Sequence, residues 1–174
     1  MHEELFDVVD DADRVIGQAP RSQVHARRWL HRAVHVFVFN PRGDVLIQKR
    51  SAGKDEYPLR YTSSASGHLH AGEDYLSAAH RELDEELGLS GGLEFLWKFP
   101  AGPETSYEHS ALYRTVTAQS PAFDPREIAA GEWVSPERLT AWIAAAPEDF
   151  TPCFRTLWTW YAGEMLRHAT KGGA

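Results

Sequence analysis

An α/β/α sandwich, with a mixed β-sheet held between helices, is the fold class that this chain predicts. Three observations predict it. Short β-branched and aromatic runs are punctuated by Gly, Pro and Asp, a stretch over residues 67–89 repeats at helical spacing, and two helix signatures follow residue 135. The 174 residues, 43% hydrophobic and 25% charged, suit one domain over 1–174 with a sizeable core. No internal repeat, low-complexity tract or linker interrupts them.

Leu5 to Val9 is an apolar run stopped by Asp10-Asp11-Ala12-Asp13, and Val15-Ile16-Gly17 returns from it, which predicts a hairpin over residues 4–18. Arg21 to His25 suits a helical turn. From His31 the run AVHVFVFN reads as a strand, broken at Pro41-Arg42-Gly43-Asp44 and resumed over Val45 to Gln48, so a second hairpin is expected. Lys49, Arg50, Lys54 and Arg60 then make a cationic, loop-rich stretch that also holds Tyr57 and Tyr61. Thr62 to Ser66 is expected as a short strand delivering Gly67. Beyond residue 89, Leu93 to Phe99 and Glu108 to Val116 read as strands, parted by Pro100, Gly102 and Pro103, with a short strand at Glu132-Trp133-Val134. Ser135-Pro136-Glu137 supplies an N-cap, a proline in the first turn and an early acid, opening a helix to about Ala145. A last helix starts near Thr151-Pro152 and runs toward Arg167, so the C-terminal helices span about 135–168. Trp158 and Trp160 are read as packing residues on it, and Lys171 to Ala174 should fray.

A net charge of −7 argues against a non-specific nucleic-acid binder, which presents a basic face. An acidic protein that handles an anionic substrate needs metal ions to screen the encounter. Cys153 is the only cysteine, so no intrachain disulfide forms, and it is read as a small buried hydrophobe in a reducing compartment. The acidic start MHEELFDVVDDAD lacks the basic and apolar segments of a signal peptide, and no run nears the ~18 apolar residues of a membrane span. A cytoplasmic, monomeric protein with neither nucleic-acid nor membrane partners is the expectation.

The chemistry concentrates in GHLHAGEDYLSAAHRELDEELGL, residues 67–89. At helical pitch Glu82, Glu85 and Glu86 crowd onto one stripe, where like charges repel, so a divalent cation is the natural counterweight. Clustered oxygen ligands suit a hard ion, Mg²⁺ or Mn²⁺, which keeps waters and bridges phosphate oxygens. Leu76, Leu83 and Leu87 fall on an adjacent stripe suited to packing on a sheet. Glu73 and Asp74 lie at the helix start, Arg81 can reach back to Glu73 and brace the loop, and Gly88 suits the helix end.

Gly67, five residues, Glu73, seven residues and Arg81-Glu82-Leu83-Asp84-Glu85-Glu86-Leu87-Gly88-Leu89 together resemble the Nudix box at every fixed position. The resemblance implies a Nudix-type α/β/α sandwich and a Mg²⁺-dependent hydrolase of nucleoside diphosphates linked to a further moiety. It implies Glu82, Glu85, Glu86 and the carbonyl of Gly67 or Ser66 as metal ligands, with Glu85, Glu86 and Arg81 among the catalytic groups. A further glutamate in a downstream loop is common in the family. Glu127, in DPREIAAGEWV, is the first choice for that general base, ahead of Glu108 and Glu86. Lys49, Arg50, Arg60, Tyr61 and His68 are the expected substrate contacts, and Tyr57, Tyr61 or Phe99 could stack on a base. Nucleoside 5′-di- and triphosphates are the expected small-molecule substrates.

FDVVDDADRVIG, HRAVHVFVFNPRG, LIQKRS and SSASGHLHAGE further resemble the Nudix branch of isopentenyl diphosphate isomerase, over most of residues 5–116. That enzyme moves a double bond by proton transfer through a cysteine just before the glycine-histidine of its box region, where this chain has Ser66. A hydroxyl is far less acidic than a thiol, so isomerase chemistry is the alternative and hydrolysis the main expectation. A non-catalytic ligand-binding module is the third. The isomerase's metal histidines correspond in position to His25, His31 and His68, with Glu108 beside them. On their own residues, however, His31 and His35 read as core histidines in an apolar strand, His68 and His70 as the functional candidates, and His80 as exposed.

Overall fold

A computed structural model describes residues 3–171. Its elements are strands β1 (Leu5–Val9) and β2 (Val15–Pro20), helix α1 (Arg21–Arg27), strands β3 (His31–Phe39), β4 (Val45–Arg50), β5 (Tyr61–Thr62) and β6 (Ala65–His68), and helix α2 (Tyr75–Leu87). Strands β7 (Glu94–Phe99), β8 (Glu108–Val116) and β9 (Ile128–Val134) and helices α3 (Pro136–Ala145) and α4 (Pro152–Lys171) follow. The frayed end expected over 171–174 lies, from 172 on, outside the described residues.

The architecture is a mixed sheet flanked by helices, and the alternation along β3 explains it. Val34, Val36 and Val38 face α2, where they meet Ala78, Ala79, Leu83 and Leu87. Phe37 and Phe39 face the other way onto Leu139 of α3 and Phe154, Leu157, Trp158 and Tyr161 of α4. Two cores on opposite faces of one strand are what period-2 alternation of fully apolar side chains dictates. Trp158 is buried and Trp160 packs against the same cluster.

Strand pairing corrects one expectation. β3 and β4 meet at a single pair, Phe39 with Val45, and then splay, so the second hairpin closes only at its turn. β3 instead runs parallel to β8 over its whole length and pairs β6 over Ala33–Val36, while β4 pairs β9 and β5. β3 thus takes β8 as a full-length partner and β6 along Ala33–Val36, and the wedge opened between β3 and β4 is where Gln48 and Glu86 meet. The strand expected over 62–66 is divided, because Ser63 and Ser64 turn inward between β5 and β6 and bond with side chains: Ser63 Oγ meets His35, and Ser64 Oγ accepts from Val38 N.

The N-terminal hairpin, longer than expected, is fastened by its own turn. Asp13 adopts a left-handed conformation, φ 61°. Its carboxylate accepts from Arg32 Nε at 2.6 Å, Tyr75 Oη at 2.9 Å and Lys98 Nζ, joining the turn to β3, α2 and β7. Asp7 in β1 accepts from Gly72 N at 2.9 Å. Asp13→Ala should strand the partly buried Arg32 and lower stability by about 3 kcal/mol in urea unfolding. A loss below about 1 kcal/mol would show the anchor to be incidental.

Candidate active site

Helix α2 carries the acids because both its ends are fixed. Asp74 caps the start by accepting from Ser77 N at 3.0 Å, and Gly88 ends it at φ 61°. Leu83 and Leu87 pack inward, but Leu76, expected on the same stripe, is 45% exposed. Tyr75 takes the inward place in that first turn and sends its hydroxyl to Asp13.

Gly67 and Glu82 approach so closely that a Cβ on residue 67 would lie 2.1 Å from Glu82 Oε1. Only glycine fits there, for lack of space and not for backbone freedom. Arg81 holds the loop to the helix. It donates to Glu73 Oε1 and Oε2 at 2.9 and 2.8 Å, to the His68 carbonyl at 3.0 Å and to Glu82 Oε1 at 2.6 Å. Glu86 is almost wholly buried, accepting from Gln48 Nε2 at 2.7 Å and Ser66 N at 3.1 Å. Burial, followed by repulsion from Glu82, pushes its carboxyl up to about 8 against the opposing hydrogen bonds. Burial also raises Glu82 despite Arg81 beside it, whereas Glu85 stands exposed on the same side. Glu82, Glu85 and Glu86 thus line one cavity together with Ser66 and Gly67 of β6, oxygen donors of the kind a hard divalent ion takes.

A second cluster lies beside the first. His25 of α1, His31 of β3 and His68 of β6 bring ring nitrogens within 4.8 Å of one another. Glu108 of β8 accepts from His68 Nε2 at 2.9 Å, and His31 Nε2 is 3.6 Å away. Burial alone would raise Glu108, but the nearby His31 ring and the hydrogen bond from His68 hold it well below the usual carboxylate range. Nε2 of His25 and of His31 are buried without a partner. Burial and the neighbouring imidazoles pull His25 down to about 4, so its ring is neutral at physiological pH. Imidazoles converging on a carboxylate suit a borderline divalent metal. The core reading of His31 holds for its burial, and the cluster adds a ligand position to it. Its Nδ1 bonds the Trp29 carbonyl, as a core histidine's would, but that bond aims Nε2 into the cluster. His35 is the core histidine, set between Ser63 Oγ at 2.8 Å and Cys153 Sγ at 3.5 Å. His70 is half exposed near Glu4, and His80 is exposed.

Both clusters open into one cavity of about 780 Å³. Arg21, Arg50, Lys54 and Arg126 line it together with the acids Glu4, Asp55, Glu56, Asp124 and Glu127, and Arg21 pairs with Asp55 and Arg126 with Asp124. Glu127 reaches it from the loop before β9 and pairs with Lys54. Ser51 holds that loop, donating from N to the Glu127 carbonyl and from Oγ to the Arg126 carbonyl. Lys49, Arg60 and Tyr61 do not line it, which corrects three expected contacts. Lys49 alternates away from Gln48 and Arg50 and lies over the Tyr61 ring, itself packed on Trp142 and Phe150, while Arg60 lies over Tyr57. Phe99 packs on Trp160 and offers no free face. Tyr57 remains at the rim. Sequence reasoning missed Arg21, Gln48 and Ser51, whose parts depend on strands and loops far apart in the chain.

The NUDIX domain model matches residues 29–154. An uncharacterized Nudix hydrolase of Yersinia pestis is 36% identical over 151 residues, 86% of this chain and 80% of that one. An isopentenyl-diphosphate Delta-isomerase of Halorhodospira halophila is 36% identical over 159 residues, 86% and 90% of the two chains. A prenyl-diphosphate phosphatase of Methanosarcina mazei is 32% identical over 155 residues, 87% and 91%. The crystal structure of DR0079 from Deinococcus radiodurans superposes with a TM-score of 0.71 at 32% identity, covering 82% of this chain and 90% of that one.

Two outcomes follow from this geometry. Gly67→Ala must displace the Glu82 carboxylate and should weaken Mn²⁺ binding by about tenfold or more in calorimetric titration; unchanged affinity would remove Gly67 and Glu82 from the metal site. The raised carboxyl of Glu86 sets a pH dependence. Without metal, the folded protein keeps a proton that the unfolded chain releases near 4.5, so stability should fall as pH rises from about 6.5 to 8, by at most ~1.4 kcal/mol per pH unit. Below that window His25 and His35, both pulled to about 4, act in the opposite sense. Thermal melts in chelator should show the decline and Mg²⁺ should reverse it; a flat profile in chelator contradicts the buried, protonated Glu86.

Proposed function

The chain belongs to the Nudix family, in the branch resembling the isopentenyl-diphosphate isomerases, and on that premise we propose that it hydrolyses the phosphoanhydride bond of nucleoside 5′-di- and triphosphates with Mg²⁺. The observation that carries this reading is the intact carboxylate stripe of Glu82, Glu85 and Glu86, set against Gly67 in a cavity that Arg50 and Lys54 also line. Those carboxylates and the Gly67 carbonyl would hold the ion. When bound, it polarises phosphate oxygens and supplies a water of lowered pKa. Arg50, Lys54 and Arg21 orient the diphosphate and offset its charge. Arg81 keeps the loop and helix in register.

In the reaction, water adds to phosphorus, the anhydride P–O bond breaks, and the leaving phosphoryl oxygen takes the electron pair. Glu127 takes the proton from water, since it stands at the cavity on a pinned loop and is released when phosphate claims Lys54. Glu108 is the weaker choice, because His31 and His68 hold it strongly ionised.

A second reading, isomerase-like chemistry on prenyl diphosphates, draws on the histidine cluster and on the named relatives. Ser66 counts against it, since a hydroxyl cannot take the thiol's part in proton transfer. The deciding assay measures phosphate release from nucleoside di- and triphosphates, nucleotide sugars and prenyl diphosphates, beside isopentenyl diphosphate isomerisation. Mg²⁺-dependent release that falls by at least ~10²-fold in Glu85→Gln is expected; isomerisation without hydrolysis would overturn the proposal in favour of the second reading, and ligand binding with neither activity would leave a binding module.

A further inference from the structure

The loop that brings Glu127 to the cavity has neither helix nor strand from Thr117 to Glu127. A general base, however, has to be held within hydrogen-bond reach of the water it serves, and a misplacement of about 1 Å can cost ~10²-fold in rate. Ser51 fixes only the last two residues of the loop, through the carbonyls of Arg126 and Glu127. The part upstream of them is fixed elsewhere, at the end of α2 and on β9.

Two backbone bonds dock the loop on the last turn of α2. Ala122 N donates to the Leu87 carbonyl at 2.7 Å and Asp124 N to the Glu86 carbonyl at 3.1 Å, carbonyls of the kind a helix leaves without internal partners. Asp124 then sets Glu127 through one tight turn, its carbonyl accepting from Glu127 N at 3.0 Å and from Ile128 N at 2.8 Å. Between the two docking bonds stands Phe123. The tip of its ring fills the place that a side chain on Gly131 of β9 would take, since a Cβ there would lie within 2.9 Å of Cζ, Cε1 and Cε2. Gly131 has no left-handed φ, so space and not backbone freedom reserves the position for glycine. It pairs with Gln48 across the strands, so the notch opens on the face of the sheet where Gln48 meets Glu86. A single exposed phenylalanine needs no explanation, but a strand that lacks a side chain where one is seated does.

We propose that Phe123 is a positioning residue: seated on Gly131, it clamps the loop onto the end of α2 and so holds Glu127 at the cavity. The proposal rests on the hydrolase reading in which Glu127 takes the proton from water. The turn of α2 that receives the loop is the one that carries Glu86, so a single contact sets the carboxylate stripe and the base in register. Without the ring, the bonds of Ala122 and Asp124 lie at a surface open to water and compete with it, and Glu127 spreads over several positions. Lys54 cannot hold Glu127 in its place, because it is the cation that phosphate claims during the reaction.

The test uses the full chain with Phe123→Ala, which removes the ring, Gly131→Ala, which evicts it, and the two together. Amide hydrogen exchange should quicken about tenfold or more at Ala122, Asp124 and Glu127 in each variant, with the amides of Leu83 and Leu87 in α2 unchanged. With ATP or ADP and Mg²⁺, kcat should fall about tenfold while KM shifts less than about twofold. Since both single changes break one contact, the double variant should match either of them rather than multiply their effects. Unchanged exchange in Phe123→Ala overturns the clamp, whatever happens to kcat. Faster exchange with unchanged kcat overturns the positioning role and removes Glu127 as the base, while leaving a hydrolase. If the unaltered chain releases no phosphate from either nucleotide, the hydrolase reading falls instead, and the exchange rates alone decide the clamp.

Discussion

The approach of Glu82 to Gly67 is the constraint on which the rest of the site depends. A helix and a strand can meet this closely only if one of them lacks a side chain at the contact. At residue 67 even a methyl group would occupy the place of a carboxylate oxygen. Once β6 and α2 are in that contact, Arg81 can span both, and Glu86 is buried where Gln48 and Ser66 receive it. The valine face of β3 supplies the apolar support, because Leu83 and Leu87 must be seated before Glu82 and Glu86 can be buried beside them. Packing thus drives the carboxylates together against their own repulsion.

Charge balance follows from that arrangement. Raised carboxyls on Glu82 and Glu86 express repulsion and burial that protein cations only partly offset. Arg81 serves the loop first, and Lys54 is shared with Glu127. A divalent ion is the natural completion of such a set.

The N-terminal hairpin ties the second cluster to the first. Asp13 and Asp7 fasten it to β3, α2 and the turn at Gly72, α1 follows it directly, and His25 arrives opposite His31 and His68 as a result. Phe6 covers those rings, stacked on His31 with centroids 5.7 Å apart. Stability of the hairpin and geometry of the histidines are therefore one problem, since the same ion pairs that hold the turn place His25.

By itself the sequence determined the local features: β3 as a strand, α2 with its acidic stripe and Gly88 stop, Arg81 reaching Glu73, and α3 with its Ser135 cap. These depend on spacing and capping, which act within a few residues. Only the tertiary structure decided which partners β3 and β4 take, that Lys49 and Tyr61 face away while Arg21 and Lys54 face in, and that His31 joins a cluster while His35 stays in the core. Period 2 tells which residues share a face of a strand, but not which face meets the cavity. Gln48 looked like an ordinary strand residue until the splay of β4 put it against Glu86. Thr62, Ser66 and Thr151 reach one cavity for the same reason: their meeting is fixed by β3 pairing with β6, with the start of α4 bonded to β5 through Thr151 and Tyr61.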